Sequence, residues 1–262
     1  MTGPSATAVP DVGGRDDVVL RLRDVTRSFG GQPAVRSVSL EIPRERTTVL
    51  LGESGGGKST LLRLMAGLLF PDSGEILFEG SPLTAGNAPA FRRRMGFVLQ
   101  SGGLFPHLTA ADNVTLLARA LRRPRDWQLR RLEELAAVVK LEPELLARWP
   151  GQLSGGQRQR ISLMRAVMLI PSVVLLDEPL GALDPVTRGE LQRELRRVFS
   201  TLGTTVVLVT HDLEEAAFLG DRVALLHDGR LVQVGKIQEL AAHPADPWVA
   251  RFLGGWRGGS AR

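Results

Sequence analysis

The chain has 262 residues, a formal net charge of +5 and 43% hydrophobic residues, enough apolar content for one large domain or two lobes. It contains no cysteine, which excludes disulfides and thiol-ligated metals, and its four scattered histidines disfavour a histidine zinc site. The longest apolar region, ISLMRAVMLIPSVVLL, is interrupted by Arg165 and Pro171. It therefore falls short of the roughly 18 uninterrupted apolar residues of a membrane span.

Arginine runs at Arg92-Arg93-Arg94 and Arg122-Arg123 contribute much of the positive charge. Such runs can face nucleic acid or an anionic membrane surface, although solvated helix faces are the commoner explanation. Aromatic residues make up only 5% of the chain and tyrosine is missing, so platforms for base stacking are poorly supplied. We therefore expect no nucleic-acid partner.

The beginning of the chain predicts a leader followed by strands. The segment MTGPSATAVPDVGGRDD lacks the basic and apolar regions of a signal peptide and is rich in Gly, Pro and Asp. It predicts a flexible leader over residues 1–17 and a cytoplasmic protein. The runs VVLRLRDV and VRSVSLEI then alternate apolar and polar residues, which predicts two strands between Val18 and Ile42, joined by the turn FGGQP.

A glycine-rich loop follows the next predicted strand. TTVLLG runs directly into GESGGGKST, and STLLRLMAGLL then has helical apolar spacing. GESGGGKS matches the pattern G-x-x-x-x-G-K-[ST], in which backbone N–H groups hold phosphates, Lys58 neutralises phosphate oxygens and the Ser59 hydroxyl binds Mg²⁺. We predict that the nucleotide-binding loop consists of Gly52, Glu53, Ser54, Gly55, Gly56, Gly57, Lys58, Ser59 and Thr60.

The rest of the chain alternates between strand and helix patterns. After the strand GEILFEG, residues 109 to about 149 are rich in Leu, Ala and Arg with helical periodicity. SVVLLDEP and TTVVLVTHD are apolar runs typical of parallel strands buried on both faces. This order predicts an α/β core in residues 18–240, with a helical subdomain inserted at about 101–160 and a C-terminal tail over 241–262.

Polar side chains end several of these predicted strands. Asp177 ends VVLLD, where a carboxylate can position Mg²⁺, and Glu178 follows it, where it can deprotonate an attacking water. Gln100 ends MGFVLQ and His211 ends TTVVLVTH. In a parallel sheet the ends with Gln100 and His211 can share the edge where ligands bind, which is the geometry of a sensor for the γ-phosphate, although for either residue alone an ordinary polar strand end is the commoner explanation.

A second glycine-rich stretch, LSGGQRQR, has no lysine among its glycines. Ser154 is a candidate N-cap for the helical pattern GGQRQRISLMRAVM, and the N-terminus of a helix suits an anion. Gly155 and Gly156 permit close backbone approach. The stretch thus predicts a second anion contact, separate from the first loop.

Together these motifs resemble the ATP-binding subunits of ABC transporters, over about residues 18–253. The most specific mark is the signature LSGGQ, Leu153 to Gln157, followed by the D-loop GALD, Gly181 to Asp184. The resemblance implies a P-loop NTPase (RecA-like) core of ABC ATPase type, with an N-terminal antiparallel β subdomain and an inserted helical subdomain. It also implies an active ATPase with ATP and Mg²⁺ as cofactors.

The same resemblance implies roles for individual residues. Phe29 matches the aromatic that stacks on adenine, Gln100 the glutamine that contacts Mg²⁺, and His211 the histidine that contacts the γ-phosphate. The signature stretch is expected to close over the γ-phosphate held by a second copy. The nucleotide-contacting set then also includes Ser154, Gly155, Gly156, Gln157 and Asp184, and the metal-binding set is Ser59, Gln100 and Asp177.

The subfamily resemblance is to importers. LLDEPLGALDPVTR and THDLEEAAFLGDRVALLHDGRLVQVG look most like ATPases for quaternary-amine osmoprotectants such as glycine betaine, choline or carnitine. Several relatives in that group have C-terminal CBS domains, which we do not expect in a sequence that stops at Arg262, and this departure weakens the prediction of the solute. Importers of an amino acid, a polyamine or a sulfonate are the alternatives. The implied partners are a second copy, two permease chains and a solute-binding protein, with the chain held by the permease on the cytoplasmic face of the membrane.

Other function classes fit less well. ABC ATPases that act on DNA usually insert long coiled coils between these motifs, whereas this chain has about forty helical residues there. A translation factor of the ABC type needs two cassettes in one chain. A regulatory module that binds ATP without hydrolysing it is the remaining alternative.

Overall fold

Two β-sheets and the helices packed on them make up the computed structural model, which describes residues 17–100, 102–181 and 185–254. The strands are β1 (Val18–Phe29), β2 (Gln32–Pro43), β3 (Thr47–Leu51), β4 (Ser73–Phe78), β5 (Ser81–Pro82), β6 (Met95–Val98), β7 (Val173–Asp177), β8 (Thr205–Thr210), β9 (Arg222–His227) and β10 (Arg230–Gly235). The α-helices are α1 (Lys58–Met65), α2 (Ala88–Arg92), α3 (Ala110–Ala120), α4 (Arg125–Val138), α5 (Gly155–Val167), α6 (Pro185–Leu202), α7 (Leu213–Leu219), α8 (Ile237–Ala242) and α9 (Pro247–Leu253). Short 3₁₀ turns lie at Pro143–Ala147 and Pro150–Gln152.

The larger sheet holds the functional strands side by side. Its order is β10-β9-β3-β8-β7-β6, and the five strands from β9 to β6 run parallel while β10 pairs antiparallel with β9. The carboxyl ends of β3, β8, β7 and β6 therefore share one edge. The smaller sheet, β2-β1-β4-β5, is antiparallel throughout.

Both faces of the parallel sheet are buried, as the valine-rich runs predicted. Alternate residues of each strand enter different apolar clusters: Leu176 and Leu208 pack with the helical insertion and α6, whereas Leu175 and Val207 pack with α1 and the antiparallel sheet. This arrangement fits the predicted α/β core with an antiparallel N-terminal sheet and a helical insertion.

The helical insertion consists of α3, α4 and the beginning of α5. Its apolar side chains join the same cluster as one face of the parallel sheet, so the insertion shares the core of the domain. The fully buried Asn113 fixes the loop before α3, because its side chain accepts from the backbone N–H of Phe105 and donates to the carbonyls of Phe105, Leu108 and Thr109.

The end of the described chain packs on the sheet. Within the stretch that we predicted as a tail over 241–262, α9 buries Val249 and Leu253, and Trp248 stacks on His227 with 4.2 Å between the ring centroids. Helical structure that packs on the rest of the domain thus lies within the first part of this stretch. Residues 255–262 and residues 1–16 of the predicted leader lie outside the described residues. No described helix has the length and apolar character that a membrane span needs.

Candidate functional site

The phosphate loop connects the buried strand β3 to α1, which begins at Lys58. Its glycines are required by close neighbours: a Cβ at Gly52 would overlap the carbonyl oxygen of Leu226, and a Cβ at Gly57 would overlap that of Ala34. Gly57 also has φ 89°, a left-handed conformation that side chains disfavour. The loop is thus held between β9 and β2, with the first N–H groups of α1 directed to the same place, an arrangement that suits phosphate.

Lys58 lies at the base of this loop. Its Nζ donates to the carbonyl oxygens of Gly52 at 2.8 Å and Glu53 at 2.7 Å. Burial lowers the pKa of Lys58, while the negative charges of Glu178, Asp177 and Glu53 act in the opposite direction. The ammonium group is therefore positioned by the loop itself and faces the carboxylates across the cleft.

Ser59 and Asp177 meet at the place predicted for Mg²⁺. The hydroxyl of Ser59 donates to Asp177 Oδ1 at 2.7 Å, and Asp177 is the last residue of the buried strand β7. Mg²⁺ prefers oxygen ligands and is usually held by one or two carboxylates together with substrate phosphates and waters. Among the described residues, no group of three or more His, Cys, Asp or Glu side chains is placed to hold a metal ion by itself. One hydroxyl and one carboxylate therefore fit a magnesium ion that arrives with a nucleotide.

Glu178 is the point where the other predicted residues converge. It has φ 44°, a conformation rare outside glycine and often found at functional sites. Its Oε2 accepts from Gln100 Nε2 at 3.2 Å and lies 3.5 Å from His211 Nδ1. The ends of β6, β7 and β8 thus bring an amide, a carboxylate and an imidazole to one position.

A cleft of about 280 Å³ lies in front of these groups. Its lining consists of Ala34, Glu178 and the loop residues Ser54 to Thr60. Ala34 was missed by sequence reasoning, since it contributes backbone rather than a chemical group and nothing in its local sequence points to the site. The cleft places Glu178 opposite the phosphate loop, the position from which it can act on a nucleotide.

Glu215 was also missed. It is 4% exposed, its Oε2 accepts from the Thr210 hydroxyl at 2.6 Å, and that hydroxyl also accepts from Asp212 N at 3.0 Å. A cavity of about 30 Å³ between Glu215, His211 and Glu178 connects this network to the site. The sequence does contain a signal for its burial: Glu215 lies on the same helix face as Ala216 and Leu219, and both of these are buried.

Phe29 ends β1 and is 45% exposed. It pairs with Gln32 across a two-residue turn, shorter than the predicted turn FGGQP, and the guanidinium of Arg27 lies 5.1 Å from the centre of its ring. An exposed ring already in contact with a cation suits stacking on a flat base.

The signature stretch forms the beginning of α5 and does not line the cleft of the phosphate loop. Ser154 caps α5 by accepting from Gln157 N, and its own N–H donates to Gln157 Oε1 at 2.9 Å. Ser154 is exposed, and no hydrogen bond among the described residues joins it to the phosphate loop. Asp184 lies outside the described residues.

Comparisons with known proteins agree on one family. Residues 35–181 match the family model described as ABC transporter. The chain is 47% identical over 241 residues to the sulfate/thiosulfate import ATP-binding protein CysA of Caulobacter vibrioides, covering 90% of this chain and 70% of that protein. It is 40% identical over 237 residues to the glycine betaine/carnitine/choline transport ATP-binding protein OpuCA of Bacillus subtilis, covering 90% of this chain and 62% of that protein. The chain thus spans about two thirds of the length of these relatives.

Solved structures with a similar fold belong to the same family as the sequence relatives. A dimeric structure of MJ0796, a bacterial ABC transporter cassette, superposes with a TM-score of 0.74 at 34% identity, covering 83% of this chain and 98% of that chain. The same cassette has also been solved in a post-hydrolysis state bound to ADP and Pi. The predicted fold class is confirmed.

Proposed function

Because the chain belongs to the ABC transporter family, we propose that it is the ATP-hydrolysing subunit of an importer complex. The chain is an ATPase with ATP and Mg²⁺ as cofactors. The observation that carries the proposal is the meeting of Gln100, Glu178 and His211 beside the cleft of the phosphate loop.

Hydrolysis proceeds by in-line attack of water on the γ-phosphate, and the protein contributes mainly positioning and charge stabilisation. Glu178 faces the phosphate loop and is held by Gln100, so it orients the water and accepts its proton. Lys58 neutralises charge on the phosphate oxygens, and His211 contacts the γ-phosphate. Ser59, Asp177 and Gln100 are the residues that would hold Mg²⁺, which would supply further charge neutralisation at the phosphates.

The signature stretch completes the site of a second copy. Ser154 to Gln157 present a capped helix N-terminus at which Ser154 is exposed, and none of them lines the cleft of the chain's own phosphate loop. In a head-to-tail dimer this end closes over the γ-phosphate that the partner holds, which explains why the stretch has no lysine of its own. The dimeric structure of the similar cassette supports this arrangement.

Substitution of Glu178 by Gln tests the hydrolytic role. The amide keeps the size of the side chain but cannot act as a base, so we expect turnover to fall by about 10²–10⁴-fold while ATP still binds. Steady-state phosphate release and equilibrium ATP binding measure the two effects. Turnover equal to that of the unsubstituted chain would refute the role of Glu178 as general base.

We propose an apolar groove as the contact with the permease. It has a volume of about 430 Å³ and lies between the parallel sheet and the helical insertion. Its lining includes Leu68, Leu99, Phe105 and Leu117, all of which are at least 40% exposed. Exposed apolar side chains collected in one groove are typical of a surface that binds an amphipathic helix. We infer that a cytoplasmic helix of the permease docks here and holds the chain on the cytoplasmic face of the membrane.

The transported solute is proposed from resemblance. We favour an osmoprotectant such as glycine betaine, choline or carnitine, which the 40% identity to OpuCA supports. Sulfate is the second candidate, favoured by the higher identity of 47% to a sulfate/thiosulfate import protein. The solute-binding protein of the complex decides between them: glycine betaine or sulfate bound by that protein should stimulate ATP hydrolysis by the complex in liposomes.

A further inference from the structure

Two arginine runs that are well separated in the sequence line one cleft in the structure. This arginine cleft has a volume of about 570 Å³, and its wall includes Arg93, Arg94, Arg122 and Arg123. Arg93 and Arg94 precede β6, whereas Arg122 and Arg123 follow α3. The described lining residues include neither an acidic side chain nor an aromatic ring, so the charged side chains of the lining are all arginines.

Two of the four guanidinium groups are held in place. Arg94 forms an ion pair with Glu79, lies within 3.4 Å of the Ser172 hydroxyl and sits over the ring of Phe78 at 5.4 Å. Arg123 lies over the ring of Trp127 at 5.5 Å. These contacts fix part of the cleft before any ligand arrives, which lowers the entropic cost of binding.

The other two guanidinium groups are available to a ligand. Arg93 and Arg122 are exposed, and among the described residues neither guanidinium group has a hydrogen bond or an ion pair. Glu79 does not neutralise them, because its carboxylate already pairs with Arg94 and Arg44. Guanidinium groups stay charged at every physiological pH, so both side chains remain positive under any assay condition.

We propose that the arginine cleft binds the phosphate group of an anionic ligand. A guanidinium presents a planar fork of N–H donors that matches two phosphate oxygens at once, and such charged hydrogen bonds are among the strongest in proteins. Single-stranded nucleic acid is a poor fit, because the described lining offers no ring for base stacking.

The phosphate has two possible sources, an anionic lipid headgroup or a free polyphosphate. The cleft shares Arg93 and Leu169 with the apolar groove, and Ile170 on its rim is 69% exposed. If the groove receives the permease, the cleft lies beside the membrane subunit, where lipid headgroups are close. The lipid source therefore rests on the proposed function, whereas binding of free phosphate does not.

The test uses the full chain with Lys58→Ala, so that the phosphate loop contributes little to the binding of phosphate probes. Inorganic pyrophosphate is titrated by calorimetry, and vesicles of phosphatidylglycerol with phosphatidylcholine are compared with vesicles of phosphatidylcholine alone by co-sedimentation. The double variant Arg93→Gln/Arg122→Gln is compared with Arg130→Gln/Arg230→Gln. The control removes the same charge from exposed arginines outside the cleft.

We expect the cleft variant to bind at least about tenfold more weakly, the loss of one good charged hydrogen bond, and the control to change little. Binding of pyrophosphate identifies a free phosphate as a ligand, and binding confined to phosphatidylglycerol vesicles identifies a lipid headgroup. If the parent chain binds neither probe, or if both double variants lose equal affinity, the proposal is overturned. With Lys58 restored and without the permease, the cleft variant should hydrolyse ATP as fast as the unsubstituted chain. An unsubstituted chain without ATPase activity would contradict the proposed function and leave the phosphate-binding proposal standing.

Discussion

Substitution of Glu215 by Gln should stabilise the protein in a pH-dependent way. Burial raises the pKa of Glu215 from 4.5 to about 7, with nearby Asp212 and Glu178 adding to the rise and the Thr210 hydrogen bond and Arg188 opposing it. Its Oε1 is buried without a hydrogen-bond partner, so ionisation leaves charge on an unsolvated oxygen. A glutamine keeps an oxygen for the Thr210 hydroxyl and removes the charge.

The direction of the pH dependence follows from whether the folded or the unfolded chain binds the proton more tightly. Below pH 4.5, Glu215 is protonated in both the folded and the unfolded chain and has no effect on the free energy of unfolding. Between pH 4.5 and about 7 the unfolded chain loses the proton while the folded chain keeps it, so stability falls as pH rises. The full difference corresponds to about 3 kcal/mol, reached above pH ~7.5. Glu215→Gln should therefore recover up to about 3 kcal/mol at pH 8 and little at pH 4.5.

Urea denaturation at both pH values measures this effect. Glu214→Gln is the matched control, because Glu214 is the exposed neighbour on the same helix and should change stability by less than about 0.5 kcal/mol. An equal gain for Glu215→Gln at both pH values, or no gain at pH 8, would show that the buried carboxylate does not titrate as described.

Three further predictions concern the nucleotide site and the partner surfaces. Lys58→Ala should weaken binding of a fluorescent ATP analogue by about tenfold or more, since it removes a charged contact to the phosphates; unchanged affinity would count against the loop assignment. Ser154→Arg should leave ATP binding intact but abolish ATP-dependent dimerisation, seen by size-exclusion chromatography, together with turnover. A loss of ATP binding by monomeric Ser154→Arg would instead place Ser154 in the chain's own site. A cysteine at Phe105 or Leu117 should cross-link to the permease in an active complex, whereas cysteines that give no cross-link would exclude the apolar groove as the dock.

Local sequence was sufficient to predict the parts of the site that are contiguous in the chain. The phosphate loop is a strand, a glycine-rich turn and a helix within twenty residues, so its pattern contains most of its own geometry. The meeting of Gln100 and His211 with Glu178 was also predictable, because carboxyl ends of adjacent parallel strands share an edge. The family resemblance agrees with the comparisons for the ABC family, while the solute stays a proposal because the relatives are named for different solutes.

Features that join distant segments could not be read from local patterns. The sequence by itself determined the nucleotide chemistry, since the required residue types follow one another at fixed spacing. Only the tertiary structure decided that Arg93 and Arg122 share a cleft, that Glu215 is buried beside His211, and that α9 packs on the sheet. The physical reason is that burial and charge clustering depend on which surfaces the fold brings together, and a side chain's own neighbours in the chain do not specify that.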